Sequence, residues 1–143
     1  MRVVLALPPF NMSRSYSAAG TLKQRGILPS LGVGYVASSA EAHGHEVAFV
    51  DRCVLGLDTE GAAQAVLAEK PDVIGLSCLT RLAPATYALA DELKLRNGSI
   101  PIVLGGPHVT CFPDEIHQAC SSIDILVPGE GEQTFADLLD HLA

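Results

Sequence analysis

Short apolar runs alternate along the chain with longer segments of mixed polarity. The runs Val3–Leu7, Glu46–Val50, Val73–Ser77, Ile102–Leu104 and Ile123–Val127 have strand length and are rich in valine, isoleucine and leucine. Near-continuous runs of this kind predict strands covered on both faces, as in a parallel sheet. The intervening segments Ser30–His43, Thr59–Lys70, Pro84–Arg96, Pro113–Ala119 and Glu132–Leu142 carry helical patterns. Five strands alternating with five helices predict an α/β domain, a doubly wound parallel sheet with helices on both faces. Right-handed crossovers then lead to the flavodoxin-like, Rossmann-like strand order 2-1-3-4-5.

Local signals agree with these elements. Ser30 is placed to cap the first helix and Gly44 to end it. Asp58 or Thr59 suits the start of the second, which Pro71 stops. Pro84 fits the first turn of the third helix and Asn97-Gly98 its exit. Glu130 and Glu132 lie at the amino end of the fifth, where the helix dipole favours acids. One connection does not fit: Pro8 to Pro29 spans about twenty residues without periodicity, and loops that long in a compact domain are usually functional or disordered. It carries Arg14, Lys23 and Arg25, three of the 9 basic residues, and reads either as a lid over an anionic ligand or as a solvated loop.

Composition narrows the classes. A chain of 143 residues with no linker or repeat reads as a single domain over its whole length. The net charge of −7 argues against a nucleic-acid partner, which needs a basic face. No apolar run approaches the roughly 18 residues of a membrane span. Met1-Arg2 enters the first strand directly, and Pro8-Pro9 follows without a small-residue cleavage site, so no signal peptide is expected. Cys53, Cys78, Cys111 and Cys120 form no CxxC pair and read as reduced thiols of a cytoplasmic protein.

In open α/β sheets ligands bind beyond the carboxyl ends of the strands. The third strand here ends in Ser77-Cys78-Leu79-Thr80, the fourth in Gly105-Gly106-Pro107, and the fifth in Pro128-Gly129-Glu130-Gly131-Glu132. The turn after the first strand, Leu7-Pro8-Pro9-Phe10, has neither the GxGxxG of a dinucleotide site nor a hydroxyl-rich phosphate loop. Asp51 stands where a ribose-binding acid would be, but is a weak signal alone. The absence of acids after strands one and three excludes a phosphoacceptor receiver domain, and the GEGE turn lacks the P-loop lysine. His108, Cys111, His117 and Cys120 have metal-ligand types, but Pro113 opens a helix between the two pairs. His43, His45 and His141 read as solvated helix-end residues. No nucleophile–base pair is evident, so no catalytic residue is expected.

The segments LPSLGVGYVASSAEAHGHEVAFVD, PDVIGLSCLT, PIVLGGPHVTCFPDEI and DILVPGEGEQTFADLL resemble the amino-terminal cobalamin-binding domain of B12-dependent radical SAM enzymes. The type is that of the anaerobic Mg-protoporphyrin monomethyl ester cyclase, and the resemblance covers nearly the whole chain. Cobalamin domains in general are similar in DxHxxG after strand one, SxL at strand three and GG at strand four. Ser77-Cys78-Leu79 and Gly105-Gly106 match the last two; Pro8-Pro9-Phe10 replaces the first, as in the family this chain most resembles.

The resemblance implies that Ser77 bonds the nucleotide tail of cobalamin through its hydroxyl and that Gly105 and Gly106 make room for it beside Pro107. Gly32 and Gly34, and Gly129, Glu130 and Gly131, would bring backbone N–H groups to its phosphate or ribose. Leu79, Thr80 and Arg81 would lie beneath the corrin. Without DxHxxG, binding is expected to be base-off with no histidine on cobalt. Radical SAM chemistry needs a CxxxCxxC triplet, which the sequence lacks. The S-adenosylmethionine and 4Fe-4S cluster would then belong to a radical SAM domain absent from this chain, in cis or as a partner subunit. The chain would not be catalytic alone, and would serve a methyltransferase or a cyclase. The competing reading is a cofactor-free interaction or regulatory domain that keeps the fold.

Overall fold

The computed structural model describes residues 1–8, 30–51 and 57–143. Among them run β1 (Arg2–Leu7), α1 (Leu31–Ala42), β2 (Glu46–Asp51), α2 (Thr59–Ala68), β3 (Val73–Ser77), α3 (Ala83–Arg96), β4 (Ile102–Gly105), α4 (Pro107–Cys111), α5 (Pro113–Ala119), β5 (Ile125–Val127) and α6 (Gly131–Leu142). The strands form one sheet in the expected order, β2-β1-β3-β4-β5, and every neighbouring pair is parallel.

Side chains alternate between the two faces of a strand, and the core divides by residue parity. The even positions Val4, Ala6, Ile74, Leu76, Ile102 and Leu104 pack with Ala63 and Val66 of α2 and Leu89 and Leu93 of α3. The odd positions Val3, Leu5, Val73, Val103 and Val127 pack with Val33 and Ala40 of α1 and Phe135 and Leu139 of α6. Burial of each large aliphatic side chain is worth about 1.5–3 kcal/mol, so both layers hold the sheet.

Several boundaries differ from the sequence reading, for local reasons. Ser30 occupies the cap position of α1 without a capping bond from its side chain, and Gly44 ends the helix at φ +85. At α2 the cap is Asp58, whose carboxylate accepts the Gly61 N–H at 2.8 Å. The exit of α3 is not left-handed: Asn97 is extended at φ −150, and its side-chain oxygen accepts from the Ser99 N–H and hydroxyl. The five-residue helix α4 was not foreseen, since it holds little more than one turn. β5 begins at Ile125 rather than Ile123. The cause is Asp124, whose carboxylate accepts the Ile102 N–H at 2.7 Å and meets Lys94 Nζ at 2.7 Å, so a side chain takes the ladder position.

The histidine reading also needs correction. His45 is buried, with Nε2 3.0 Å from Asp140 Oδ1, while His43 Nδ1 is 2.7 Å from Asp140 Oδ2. The pair ties the α1–β2 turn to the last turns of α6. Its hydrogen bonds, that from His43 foremost, hold the Asp140 carboxyl below its ordinary pKa. His141 is exposed as expected. Among the described residues, no helix is long and apolar enough to cross a membrane.

Candidate functional site

The odd face of the sheet does not close completely against α1 and α6. A cleft of about 730 Å³ runs between them and reaches the carboxyl ends of the strands. Its floor follows from register. Leu5, Gly75 and Val103 are neighbours across β1, β3 and β4, and two residues further on Ser77, Gly105 and Val127 form the next row. Small side chains at 75, 77 and 105 thus hollow the middle of the sheet.

The glycine pair after β4 has two different tasks. A Cβ on Gly105 would meet nothing closer than the Val127 carbonyl oxygen at 3.7 Å, an ordinary contact, so the residue opens onto free space. Gly106 has φ +99, and a Cβ there would stand 2.8 Å and 2.9 Å from the backbone O and N of Cys78. Its missing side chain serves the close approach of two chain segments, with Cys78 N–H donating to the Gly105 carbonyl and His108 N–H to the Cys78 carbonyl. The two glycines, both expected to make room for a ligand, thus differ: Gly105 leaves space, and Gly106 is also required by the backbone.

Of the residues expected at the site, Ser77, Leu79, Arg81, Gly105, Gly106, Pro107, Gly129, Glu130 and Gly131 all line the cleft, as does Gly32. Thr80 does not; its hydroxyl is 3.3 Å from Nδ1 of His108. Gly34 also lies elsewhere, its N–H committed to the Ser30 carbonyl at 3.0 Å. The Gly129 N–H donates to the Thr110 hydroxyl at 2.8 Å, which leaves the first N–H groups of α6, from Gly131 on, as the backbone donors without an intrahelical partner. Ser77 has no hydrogen-bond partner for its hydroxyl among the described residues. Arg14, Lys23 and Arg25 of the expected lid lie outside the described residues, as do Pro9, Phe10 and Cys53.

Sequence reasoning missed Gly75. Its signal was a glycine inside a buried strand, Val73-Ile74-Gly75-Leu76-Ser77, which marks a close approach. A Cβ there would lie 2.6 Å from Leu5 Cδ2 and 3.3 Å from Phe135 Cζ, so these side chains close the inner end of the cleft over it. That end is apolar, whereas the mouth carries Arg81, Glu130 and Glu132.

His108, the histidine nearest the glycine pair in sequence, is turned away from the cleft. It is buried, its Nε2 lies 2.9 Å from the Tyr87 hydroxyl, and its ring packs against Phe112 at 5.3 Å between centroids. It bridges α3 to the turn Thr80–Leu82; Leu79, just before that turn, and Arg81, within it, line the cleft. The metal reading of His108, Cys111, His117 and Cys120 is not supported. Among the described residues, the side chains whose donor atoms all come within 4.8 Å are His43, Asp137 and Asp140 instead. Burial pushes the Cys78 and Cys120 thiols above their ordinary range.

A family model described as the B12 binding domain matches residues 19–139. An uncharacterized methyltransferase of Pyrococcus horikoshii is 34% identical over 143 residues, covering 100% of this chain and 30% of its own. The anaerobic magnesium-protoporphyrin IX monomethyl ester cyclase of Rubrivivax gelatinosus is 30% identical over 143 residues, 97% of this chain and 24% of its own. The chain thus spans less than a third of these relatives. Among solved structures, the radical S-adenosylmethionine methyltransferase TsrM from Kitasatospora setae, with cobalamin and a 4Fe-4S cluster bound, superposes with a TM-score of 0.78. It is 18% identical, and the match covers 99% of this chain and 24% of that one, which establishes a shared fold.

Proposed function

We propose, from the premise that this chain belongs to the B12 binding domain family, that it is the cobalamin-binding module of a B12-dependent radical SAM enzyme. The observation that carries the proposal is the row Ser77–Gly105–Val127: a hydroxyl without a partner among the described residues, beside a strand-end glycine that opens onto free space. The nucleotide tail of cobalamin would enter there. Ser77 would hydrogen-bond it, and Gly105 would leave the width it needs. The first N–H groups of α6, beginning at Gly131, suit an anionic phosphate at the mouth. Leu79 and Arg81 would face the underside of the corrin, held by the bridge from Thr80 to His108. When bound, cobalamin supplies a cobalt centre able to carry a methyl group.

A nucleotide tail held in the cleft would keep its own base off the metal. His108 is engaged with Tyr87 and Thr80, and Arg81 has no lone pair to give, so neither is disposed to ligate cobalt. Base-off binding without a histidine ligand follows as part of this reading. The S-adenosylmethionine and the 4Fe-4S cluster would belong to a radical SAM domain, in cis or as a partner subunit. Equilibrium dialysis against hydroxocobalamin tests the proposal. It should show saturable uptake of about one per chain, and no uptake at high micromolar cofactor would favour the interaction-domain reading. Electron paramagnetic resonance of the Co(II) complex should show no three-line nitrogen splitting. Such a splitting, lost in His108→Ala, would make the histidine a ligand.

A further inference from the structure

We infer that the inner end of the cleft selects the lower base of the cofactor, accepting dimethylbenzimidazole and rejecting a purine such as adenine. The inference rests on the reading that the nucleotide tail enters the cleft. The corrin is too broad to pass between the sheet and the two helices, so the base, at the far end of the slender tail, must travel deepest. What it meets there is Leu5, Gly75 and Val103 from the sheet and Val33 and Phe135 from the helices. None of these side chains has a hydrogen-bond donor or acceptor.

The backbone offers no substitute. β3 is flanked on both sides by β1 and β4, so the peptide groups of this row are engaged in ladders with their neighbours. Val33 and Phe135 lie within helices, where the main chain is bonded to itself. Among the described residues, the polar side chains that line the cleft, Ser30, Ser77, Arg81, Thr110, Cys111, Glu130 and Glu132, all lie outside the inner row, on β3 beyond it or on the loops and helix ends around the mouth. An adenine carried to the inner end would strip water from its exocyclic amine and ring nitrogens with nothing among the described residues to replace it. Dimethylbenzimidazole presents two methyl groups at the same ring edge, and these suit contact with Leu5, Val103 and Phe135. One unsatisfied buried group is enough for about a tenfold loss in affinity.

The experiment compares hydroxocobalamin with its adenine-tailed analogue, hydroxo-pseudocobalamin, by equilibrium dialysis with the full chain. Val33→Thr and Val103→Thr, which add a hydroxyl at the inner end with little change of volume, are measured alongside. The expected result is at least about tenfold tighter binding of hydroxocobalamin by the unaltered chain, with that ratio narrowed in a folded threonine variant. Equal affinity for the two cofactors would overturn the inference while leaving cobalamin binding intact. A preference that persists unchanged in both folded variants would overturn it too, by placing discrimination elsewhere. If neither cofactor binds, the module reading itself fails and the inference falls with it. Should a variant not fold, the ratio for the unaltered chain still decides.

Discussion

Adding one methyl group to each of the two adjacent glycines should have opposite consequences. In Gly106→Ala the new Cβ must adopt φ +99 with ψ 176, a region open almost only to glycine, at a cost of about 1–3 kcal/mol. It would also approach the Cys78 backbone at 2.8 Å and 2.9 Å, and backbone cannot swing aside as a side-chain tip can. Retreat of that segment stretches two hydrogen bonds, Cys78 N–H to Gly105 and His108 N–H to Cys78, each worth about 1 kcal/mol. The sum is a loss of about 3–5 kcal/mol, a large share of the roughly 5–15 kcal/mol that holds a domain together. For a chain of this length it corresponds to a fall in Tm of about 10 °C or more. Gly105→Ala meets only ordinary contact at 3.7 Å, at a position without positive φ, so stability should stay within about 1 kcal/mol. Urea unfolding followed by far-ultraviolet circular dichroism measures both. Cobalamin binding should fall in Gly105→Val while its fold survives. The reasoning is refuted if Gly105→Ala proves the more destabilising, or if Gly106→Ala costs less than about 1 kcal/mol.

Other outcomes follow from the same geometry. His108→Ala should destabilise by about 2–3 kcal/mol in thermal unfolding, because it breaks two hydrogen bonds and leaves the Tyr87 hydroxyl without its partner. Thr110→Val, which leaves the Gly129 N–H without its acceptor, should cost about 0.5–1 kcal/mol at this exposed site and loosen the start of α6, visible as faster amide exchange there. The Asp140 tether gives a pH dependence of known sign. Its folded pKa lies below the ordinary 3.8, so its contribution is complete above that value and disappears as pH falls through the folded pKa. Asp140→Asn should therefore flatten the acid limb of a stability–pH curve; an unchanged limb would show that the tether contributes nothing.

Strand identity and order were legible because valine-rich runs of strand length alternate with helical segments, and right-handed crossovers leave few topologies. The small residues at the strand ends do line the cleft. What the sequence hid was the division of labour within Gly105-Gly106, which depends on how near β3 passes. It also hid Gly75, whose neighbours Leu5 and Phe135 come from 70 and 60 positions away. His108 looked like a candidate for the metal, yet Tyr87 on a different helix turns it inward, and no spacing rule reports that. Asp124 ended a strand early for a similar reason: its carboxylate partners, Ile102 and Lys94, are distant in sequence.

The parity of the core has an evolutionary reading. Along β3, Ile74 and Leu76 belong to the layer under α2 and α3, while Gly75 and Ser77 belong to the cleft, so binding and folding are written on alternate letters of one short word. Substitutions at 77 and 105, at the open end of the row, can retune the cavity while the packed layers keep the sheet assembled. A one-residue insertion or deletion in β3 is another matter, since it would carry isoleucine and leucine into the cleft and glycine and serine into the core together. Lineages descending from such a domain should therefore vary more by substitution around the cleft than by length within these strands.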